Sequence, residues 1–320
     1  PDRSPTADAA DEAPPGVLKK AIAASAIGNA TEWFDYGLYA YGVTYISAAI
    51  FPGDTTEATL FALMRFAVSF LVRPLGGFVW GPLGDRIGRQ KVLSMTIILM
   101  GVATFLIGVI PSYETIGWAA PALLFLLRII QGFSTGGEYG GAATFMAEYA
   151  PDRKRGFWGS FLEFGTLAGF TLAVLVVFGL EPAIGEQAML DYGWRIPFMI
   201  ALPLAMIGLY IRTKLEDTPV FRDLEAAGES ESAATGALKD LIVRYWQPIL
   251  ALFGLVIALN VINYTLLTYM PTYLQTTLSM DSASADTVAV IGQVVMMLLI
   301  PFAGALSDRI GRKPCWWISL

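Results

Sequence analysis

Four acidic and two basic side chains lie inside long apolar stretches of this sequence, where charged residues are rare. Placing one Asp, Arg or Lys at the centre of a membrane helix costs about 3 kcal/mol, so each such residue is a candidate for function. The acids are Glu32, Asp35, Glu138 and Glu163, and the bases are Arg73 and Arg128. Because the chain contains no histidine, we expect a proton bound in these stretches to sit on a carboxylate. An arginine can pair with such a carboxylate or hold that of a small molecule.

The positions of these charges along their stretches indicate which of them lie at similar depth. Asp35 and Arg128 straddle the middle of their stretches. Arg73, Glu138 and Glu163 instead lie in the same half of their apolar stretches. We favour Asp35 and Glu163 as the proton-binding groups, with the two arginines as their cationic partners. The alternative is that all of these charges form structural ion pairs between helices.

The elements that must position these side chains are apolar helices. Hydrophobic residues make up 55% of the 320 positions and charged residues only 15%, against about 25% charged in a soluble domain. Stretches such as 92–111 and 288–306 approach the roughly 20 residues that cross a hydrocarbon core. Barrel strands would alternate apolar and polar residues, which these stretches do not do. We therefore expect an all-α polytopic protein of the cell membrane, with the lipid bilayer around it.

The order of the apolar stretches predicts eight complete membrane spans and the start of a ninth near residue 315. They are expected at 22–50, 57–81, 91–110, 119–149, 157–180, 194–212, 248–274 and 286–306. An acidic, Pro- and Ala-rich tail, residues 1–19, is expected to be disordered, and residues 213–247 to form a central loop. The spans before the central loop form a six-helix bundle, residues 20–212. The spans after the loop begin a second bundle at residue 248. We expect this second bundle to be truncated after about two complete spans.

The distribution of Lys and Arg predicts the orientation of the chain. Most of the 21 basic residues lie in one alternating set of loops, and the opposite loops hold a single one, Arg195. Loops rich in Lys and Arg stay on the cytoplasmic side. The N-terminus and the central loop are therefore expected to be cytoplasmic.

One turn occurs twice, with the pattern Gly-x-x-x-Asp-Arg-x-Gly-Arg. The copies follow the second and the eighth predicted spans, which indicates a six-plus-six duplication. Glycine permits the close approach and the positive φ of a short turn, and Asp and Arg can form ion pairs that exist in one conformation only. We predict a cytoplasmic gate here, although a basic turn can also serve topology alone. Its residues are Gly81, Asp85, Arg86, Gly88, Arg89, Gly304, Asp308, Arg309, Gly311 and Arg312.

This turn resembles the loop signature of the major facilitator superfamily, and residues 127–132 resemble its fourth-span motif. Further stretches resemble the metabolite:proton symporter family, and within it the carriers of osmoprotectants. They are residues 28–36, 73–77, 136–139, 151–156, 193–198, 215–219 and 266–271. The resemblance implies the major facilitator fold and proton-coupled uptake of a compatible solute such as proline or glycine betaine. An acid at the position of Glu163 is typical of the osmoprotectant carriers and not of their dicarboxylate relatives.

A zwitterionic solute needs a cation for its carboxylate and an aromatic or acidic surface for its ammonium group. Polar and aromatic residues of the first and seventh spans join the two arginines as candidates, because these spans line the central cavity in the superfamily. They are Trp33, Tyr36, Tyr39, Asn260, Asn263 and Tyr264. The alternative is that these aromatic residues lie at the lipid interface or pack between helices.

Two other functions stay open. A proton symporter of a dicarboxylate or 2-oxo acid would use Arg73 and Arg128 as a clamp. A transporter-like osmosensor or receptor would signal without moving solute. No pattern typical of an enzyme, a metal site, a cofactor or nucleic-acid binding stands out, and the sequence leaves the oligomeric state open.

Overall fold

A computed structural model describes residues 15–51, 55–214 and 243–319, and this part of the chain is helical and without strands. Eight long helices follow one another, with the seventh continuing through a π-helical turn, Thr265–Tyr269, into a short helix, Met270–Thr276. A ninth helix ends the described chain. The helices are α1 Pro15–Ile50, α2 Thr55–Ile87, α3 Arg89–Val109, α4 Ala119–Tyr149, α5 Arg155–Ile184, α6 Arg195–Thr213, α7 Trp246–Tyr264, α8 Ser282–Ile310 and α9 Arg312–Ser319.

The observed helices follow the predicted spans, and they differ most at the N-terminus. Helix α1 begins at Pro15, inside the predicted disordered tail. Proline is favoured in the first turn of a helix, since its fixed φ suits the helix and its missing N–H costs nothing there. The rest of the tail, residues 1–14, and most of the predicted central loop, residues 215–242, lie outside the described residues. So does the family-like stretch 215–219.

Close contacts between helix backbones fix α2 against α4. Gly132 and Gly136 of α4 face the backbone of Ser69 and Arg73 on α2, and a Cβ atom at either glycine would collide with it. Small residues let membrane helices approach in this way. The backbone beneath the Arg73 side chain is therefore held in place by α4.

Six helical segments in the described part of the chain are long and apolar enough to cross a membrane. They are Arg89–Val109, Ala119–Tyr149, Asp152–Ile184, Arg195–Thr213, Trp246–Leu267 and Ser284–Ile310. Helices α1 and α2 are not among these segments, although the sequence predicts spans there. Both carry charged residues that interrupt their apolar runs, among them Glu32, Asp35 and Arg73. The chain is a multi-pass membrane protein.

The second half of the chain packs on the first along α8 and at the end of α7. Leu267, from the π-helical turn after α7, is 1% exposed in an apolar cluster with Trp33 and Phe170. Met296 and Ile300 of α8 join the same cluster. The surface between the halves therefore lies against α1, α2 and α5.

The two copies of the repeated turn have the same backbone shape. The second glycine of each copy lies between two helices, Gly88 with φ 101° and Gly311 with φ 93°. Only glycine adopts such angles readily, so both copies need it at this place. The copies lie at one end of the helical bundle, which we call the turn end.

Candidate functional site

The ion pair between Arg73 and Glu32 is more accessible than the pairs formed by Asp35 and by Glu138, because its arginine is partly exposed. Arg73 Nη2 donates a hydrogen bond to Glu32 Oε1, and Arg73 Nε donates to Thr135 Oγ1 at 3.0 Å. The Glu32 side chain is 2% exposed and that of Arg73 is 25% exposed. The second carboxylate oxygen, Glu32 Oε2, is buried and has no hydrogen-bond partner within the described residues. The pair thus combines a partly exposed arginine with a carboxylate that has one oxygen without a hydrogen-bond partner in the described chain.

Aromatic rings from both halves of the chain surround this pair. The Arg73 guanidinium carbon lies 4.9 Å from the ring centroid of Tyr36 and 5.2 Å from that of Phe70. Trp33 and Tyr264 lie next to these rings, and Tyr264 belongs to α7. Sequence reasoning missed Phe70. Phe70 precedes Arg73 by three residues on α2, and this spacing puts both side chains on one helix face. Phe70 could therefore have been identified from the sequence.

Asp35 and Arg128 form a second ion pair, enclosed within the first bundle. Arg128 Nη1 donates to Asp35 Oδ2 at 2.7 Å, and the two side chains are 1% exposed or less. Gln131 Nε2 donates to the other oxygen of Asp35 at 2.9 Å. The Arg128 guanidinium carbon lies 3.9 Å from the ring centroid of Tyr39. Tyr39 therefore lies with this enclosed pair, away from the aromatic rings around Arg73.

Arg128→Gln is expected to destabilise the folded protein by about 3–5 kcal/mol, because Asp35 would keep a buried charge without its partner. Thermal unfolding of the purified protein in detergent, followed by size-exclusion chromatography, measures this loss. The double variant Asp35→Asn/Arg128→Gln is expected to recover most of the stability. A single variant as stable as the parent would show that the pair does not hold α1 to α4.

Glu138 pairs with Arg212, the last residue of the span predicted at 194–212. Arg212 Nη2 donates to Glu138 Oε1, and Thr96 Oγ1 donates to Glu138 Oε2 at 2.5 Å. Arg212 is 3% exposed near the end of α6. Sequence reasoning missed this partner, because Arg212 lies at the end of its span and its side chain turns back into the bundle. Glu138 and Glu32 both line a small cavity of about 10 Å³, together with Thr31 and Ser134.

Glu163 and Asn260, two further candidates from the sequence, have local partners. Glu163 is half-buried and accepts a hydrogen bond from the Tyr139 hydroxyl at 2.5 Å. Asn260 Nδ2 donates to the carbonyl of Val256 in its own helix at 2.8 Å. Asn263 is half-buried one turn further along α7. Arg73 is not among the hydrogen-bond partners of these residues in the described part of the chain.

At the turn end, the second copy of the turn joins the two halves. Asp308 Oδ1 and Oδ2 accept hydrogen bonds from the backbone N–H groups of Gly156 and Phe157, both at 2.8 Å. These N–H groups belong to the first turn of α5, which is rich in unpaired donors. Gly304 packs directly on Gly156, leaving no room for a Cβ atom at either. Arg312 Nη2 also donates to Asp308, at 2.7 Å.

The first copy of the turn makes its ion pairs within the first half. Arg89 Nη1 lies 2.6 Å from Glu148 Oε1 of α4, and its Nη2 lies 3.7 Å from Asp85 Oδ1. The side chains of Arg86 and Arg309 are exposed, as is Gly81.

The membrane helices carry the same turn after the second and the eighth helix, and ion pairs lie at the centre of the bundle. These are features of a major facilitator. The sequence pattern of the Major Facilitator Superfamily matches residues 26–320. The chain belongs to this superfamily, as its motifs predicted. A solved structure of the proton:xylose symporter XylE with a bound glucose derivative has the same fold, with a TM-score of 0.74, 20% identity, and coverage of 93% of this chain and 71% of that one.

Relatives with higher identity have names that refer to small zwitterions. A proline/betaine transporter of Escherichia coli K12 is 49% identical over 93% of this chain. A glycine betaine/proline/ectoine/pipecolic acid transporter, OusA, of Dickeya dadantii is also 49% identical over 93% of it. An ectoine/proline transporter, ProP, of Corynebacterium glutamicum is 45% identical over 97%. The chain spans 61%, 61% and 64% of the length of these relatives, respectively.

Proposed function

We propose that the protein imports a zwitterionic compatible solute, such as proline or glycine betaine, together with protons. The observation that carries the proposal is the partly open Arg73, held by Glu32 and bordered by aromatic rings from both halves. A guanidinium group binds a carboxylate, and aromatic faces attract an ammonium group, so one site suits both ends of the solute. The names of the relatives support the same class of substrate.

In this proposal, proton coupling results from competition between Glu32 and the substrate carboxylate for Arg73. When Glu32 is ionised, it holds the guanidinium group, and a substrate carboxylate must displace it. A proton taken up from outside and bound at Glu32 removes this competition, so Arg73 becomes free to hold the substrate. Asp35, Glu138 and Glu163 remain proposed proton-binding residues. Glu32 is preferred because one of its oxygens has no partner in the described chain, whereas both oxygens of Asp35 and of Glu138 accept hydrogen bonds.

We place the turn end, the N-terminus and the central loop in the cytoplasm. The Lys- and Arg-rich loops support this orientation. In this arrangement the contact between Asp308 and the start of α5 closes the cytoplasmic side. Transport then requires this contact to break while a contact on the other side forms, as in alternating access.

Uptake by the full-length protein in proteoliposomes tests the proposed function. With an inward proton gradient, labelled proline is expected to accumulate, and the accumulation is expected to collapse with a protonophore. Excess glycine betaine is expected to inhibit uptake, whereas 2-oxoglutarate is not. Inhibition by 2-oxoglutarate alone would indicate the carboxylate symporter. An osmosensor or receptor would show no accumulation at all.

The geometry gives less support to the dicarboxylate symporter. A two-arginine clamp requires both guanidinium groups to reach one solute. Arg128 is 0% exposed and holds Asp35, whereas Arg73 faces the rings of Tyr36 and Phe70. One available arginine matches a solute with one carboxylate.

Asp308→Asn is expected to shift the protein towards the state that is open at the turn end, by about tenfold in population. The carboxylate charge at the first turn of α5 contributes about 1–2 kcal/mol in such a buried position. Spin labels at Arg153→Cys and Lys313→Cys, in a Cys315→Ser background, report the distance between the halves.

The matched control is Asp152→Asn, since Asp152 lies outside the predicted gate, is exposed, and forms its ion pair with Arg155 within the first half. We expect a longer distance between the labels for Asp308→Asn only. Equal distance distributions in the two variants would contradict the proposed gate.

A further inference from the structure

Four aromatic rings next to Arg73 form a closed circuit. Neighbouring centroids are 5.8 Å apart for Trp33 and Tyr36, and 5.3 Å for Tyr36 and Phe70. They are 6.1 Å apart for Phe70 and Tyr264, and 6.2 Å for Tyr264 and Trp33. We call these four residues the aromatic circuit. It combines rings of α1 and α2 with one of α7, so it crosses the surface between the halves.

The aromatic circuit already holds a cation. The guanidinium group of Arg73 lies over the rings of Tyr36 and Phe70 at distances typical of a cation–π interaction. Trp33 and Tyr36 are 7% and 2% exposed, whereas Phe70 and Tyr264 are half-buried. The latter two rings are therefore the more accessible part of the circuit. One of them lies on each half of the protein.

We infer that the aromatic circuit binds the quaternary ammonium group of N-methylated amino acids, with Phe70 and Tyr264 as its specificity-determining residues. The inference rests on the proposed function and names its substrate class more narrowly. The methylated ammonium group takes the place of the guanidinium group against the rings, and Arg73 turns to hold the carboxylate of the same molecule. Arg73 thus occupies the ammonium position when no substrate is bound.

The number of N-methyl groups decides how much a substrate depends on the rings. A trimethylammonium group has no N–H and interacts with ring faces alone. The ammonium group of proline keeps two N–H donors and can bind an oxygen such as Glu32 Oε2 instead. Loss of one ring therefore weakens glycine betaine binding more than proline binding.

Inhibition of labelled proline uptake by glycine betaine, dimethylglycine and sarcosine tests this inference in the full-length protein. In Phe70→Leu and in Tyr264→Leu, we expect the inhibition constant of glycine betaine to rise about tenfold, since a desolvated cation–π contact is lost. The effect is expected to decrease with each methyl group removed, and the KM for proline to change less than about threefold. Phe178→Leu is the matched control, because Phe178 packs on Tyr41 in the same apolar cluster but outside the circuit.

The outcomes of this experiment distinguish a failure of the inference from a failure of the proposed function. Parallel losses of proline and betaine affinity in both circuit variants would overturn the inference, as would equal effects of Phe178→Leu. An unchanged inhibition constant for betaine would overturn it too. If the parent protein accumulates no proline under a proton gradient, the proposed function fails, and the aromatic circuit loses its role with it.

Discussion

Arg73→Gln is expected to raise the KM for proline about 100-fold, the largest effect of any single substitution in the proposed site. A charge-assisted hydrogen bond to a substrate carboxylate contributes about 1.5–3 kcal/mol, and its loss corresponds to a factor of about 10–100. The variant also leaves Glu32 buried without its partner, which adds a cost of its own. Initial rates of uptake in proteoliposomes over a range of proline concentrations measure the change.

A double variant separates binding from folding. In Glu32→Gln/Arg73→Gln neither side chain carries a charge, so the amount of folded protein is expected to return to that of the parent. Uptake is expected to stay low, because the guanidinium group is still missing. Recovery of proline uptake in the double variant would contradict the assignment of Arg73 to the substrate carboxylate.

Glu32→Gln is expected to abolish accumulation of proline against its gradient while exchange across the membrane continues. The amide cannot release a proton, so Arg73 is free at every pH and substrate movement no longer depends on proton movement. Counterflow of labelled proline is expected to become independent of pH in this variant. In the parent, by contrast, it should increase as the pH falls, because protonation of Glu32 releases Arg73.

Variants of the other three membrane acids are compared with Glu32→Gln. Glu163→Gln, Asp35→Asn and Glu138→Gln each remove one carboxylate, and each is assayed for accumulation and for counterflow in the same way. If accumulation is lost and counterflow kept in Glu163→Gln but not in Glu32→Gln, the proton is bound at Glu163, as the sequence favoured. Accumulation by Glu32→Gln at the parent level would overturn the proposed competition for Arg73.

The all-helical fold and its superfamily could be predicted from the sequence because both depend on local patterns. Apolar runs near the length of a membrane span fix the helices, and the turn with Gly88 and Gly311 requires a backbone angle that glycine adopts. The predicted fold class and superfamily are confirmed. The start of α1 was missed because Pro15 was read as part of a disordered tail, although proline also suits the first turn of a helix.

The partners of the buried charges could not be predicted in the same way. Depth along a helix follows from residue number, but the direction of a side chain also depends on how the helix is rotated against its neighbours. Arg73 reaches Thr135 because Gly136 brings α2 close to α4, which residue spacing within α2 does not reveal. Arg212 was missed for another reason, since an arginine at a helix end normally points to the interface.

The contact of Asp308 with the start of α5 uses main-chain donors and no side chain. Exchanging Phe157 for another ordinary amino acid leaves its N–H in place, so the partner that Asp308 recognises does not change. Compensating pairs of substitutions between α5 and α8 are therefore not expected at this contact, however important it is. Proline is the exception, because it alone lacks the N–H group. Among related sequences, the mark of this contact would be an acid at one position and the avoidance of proline at the other.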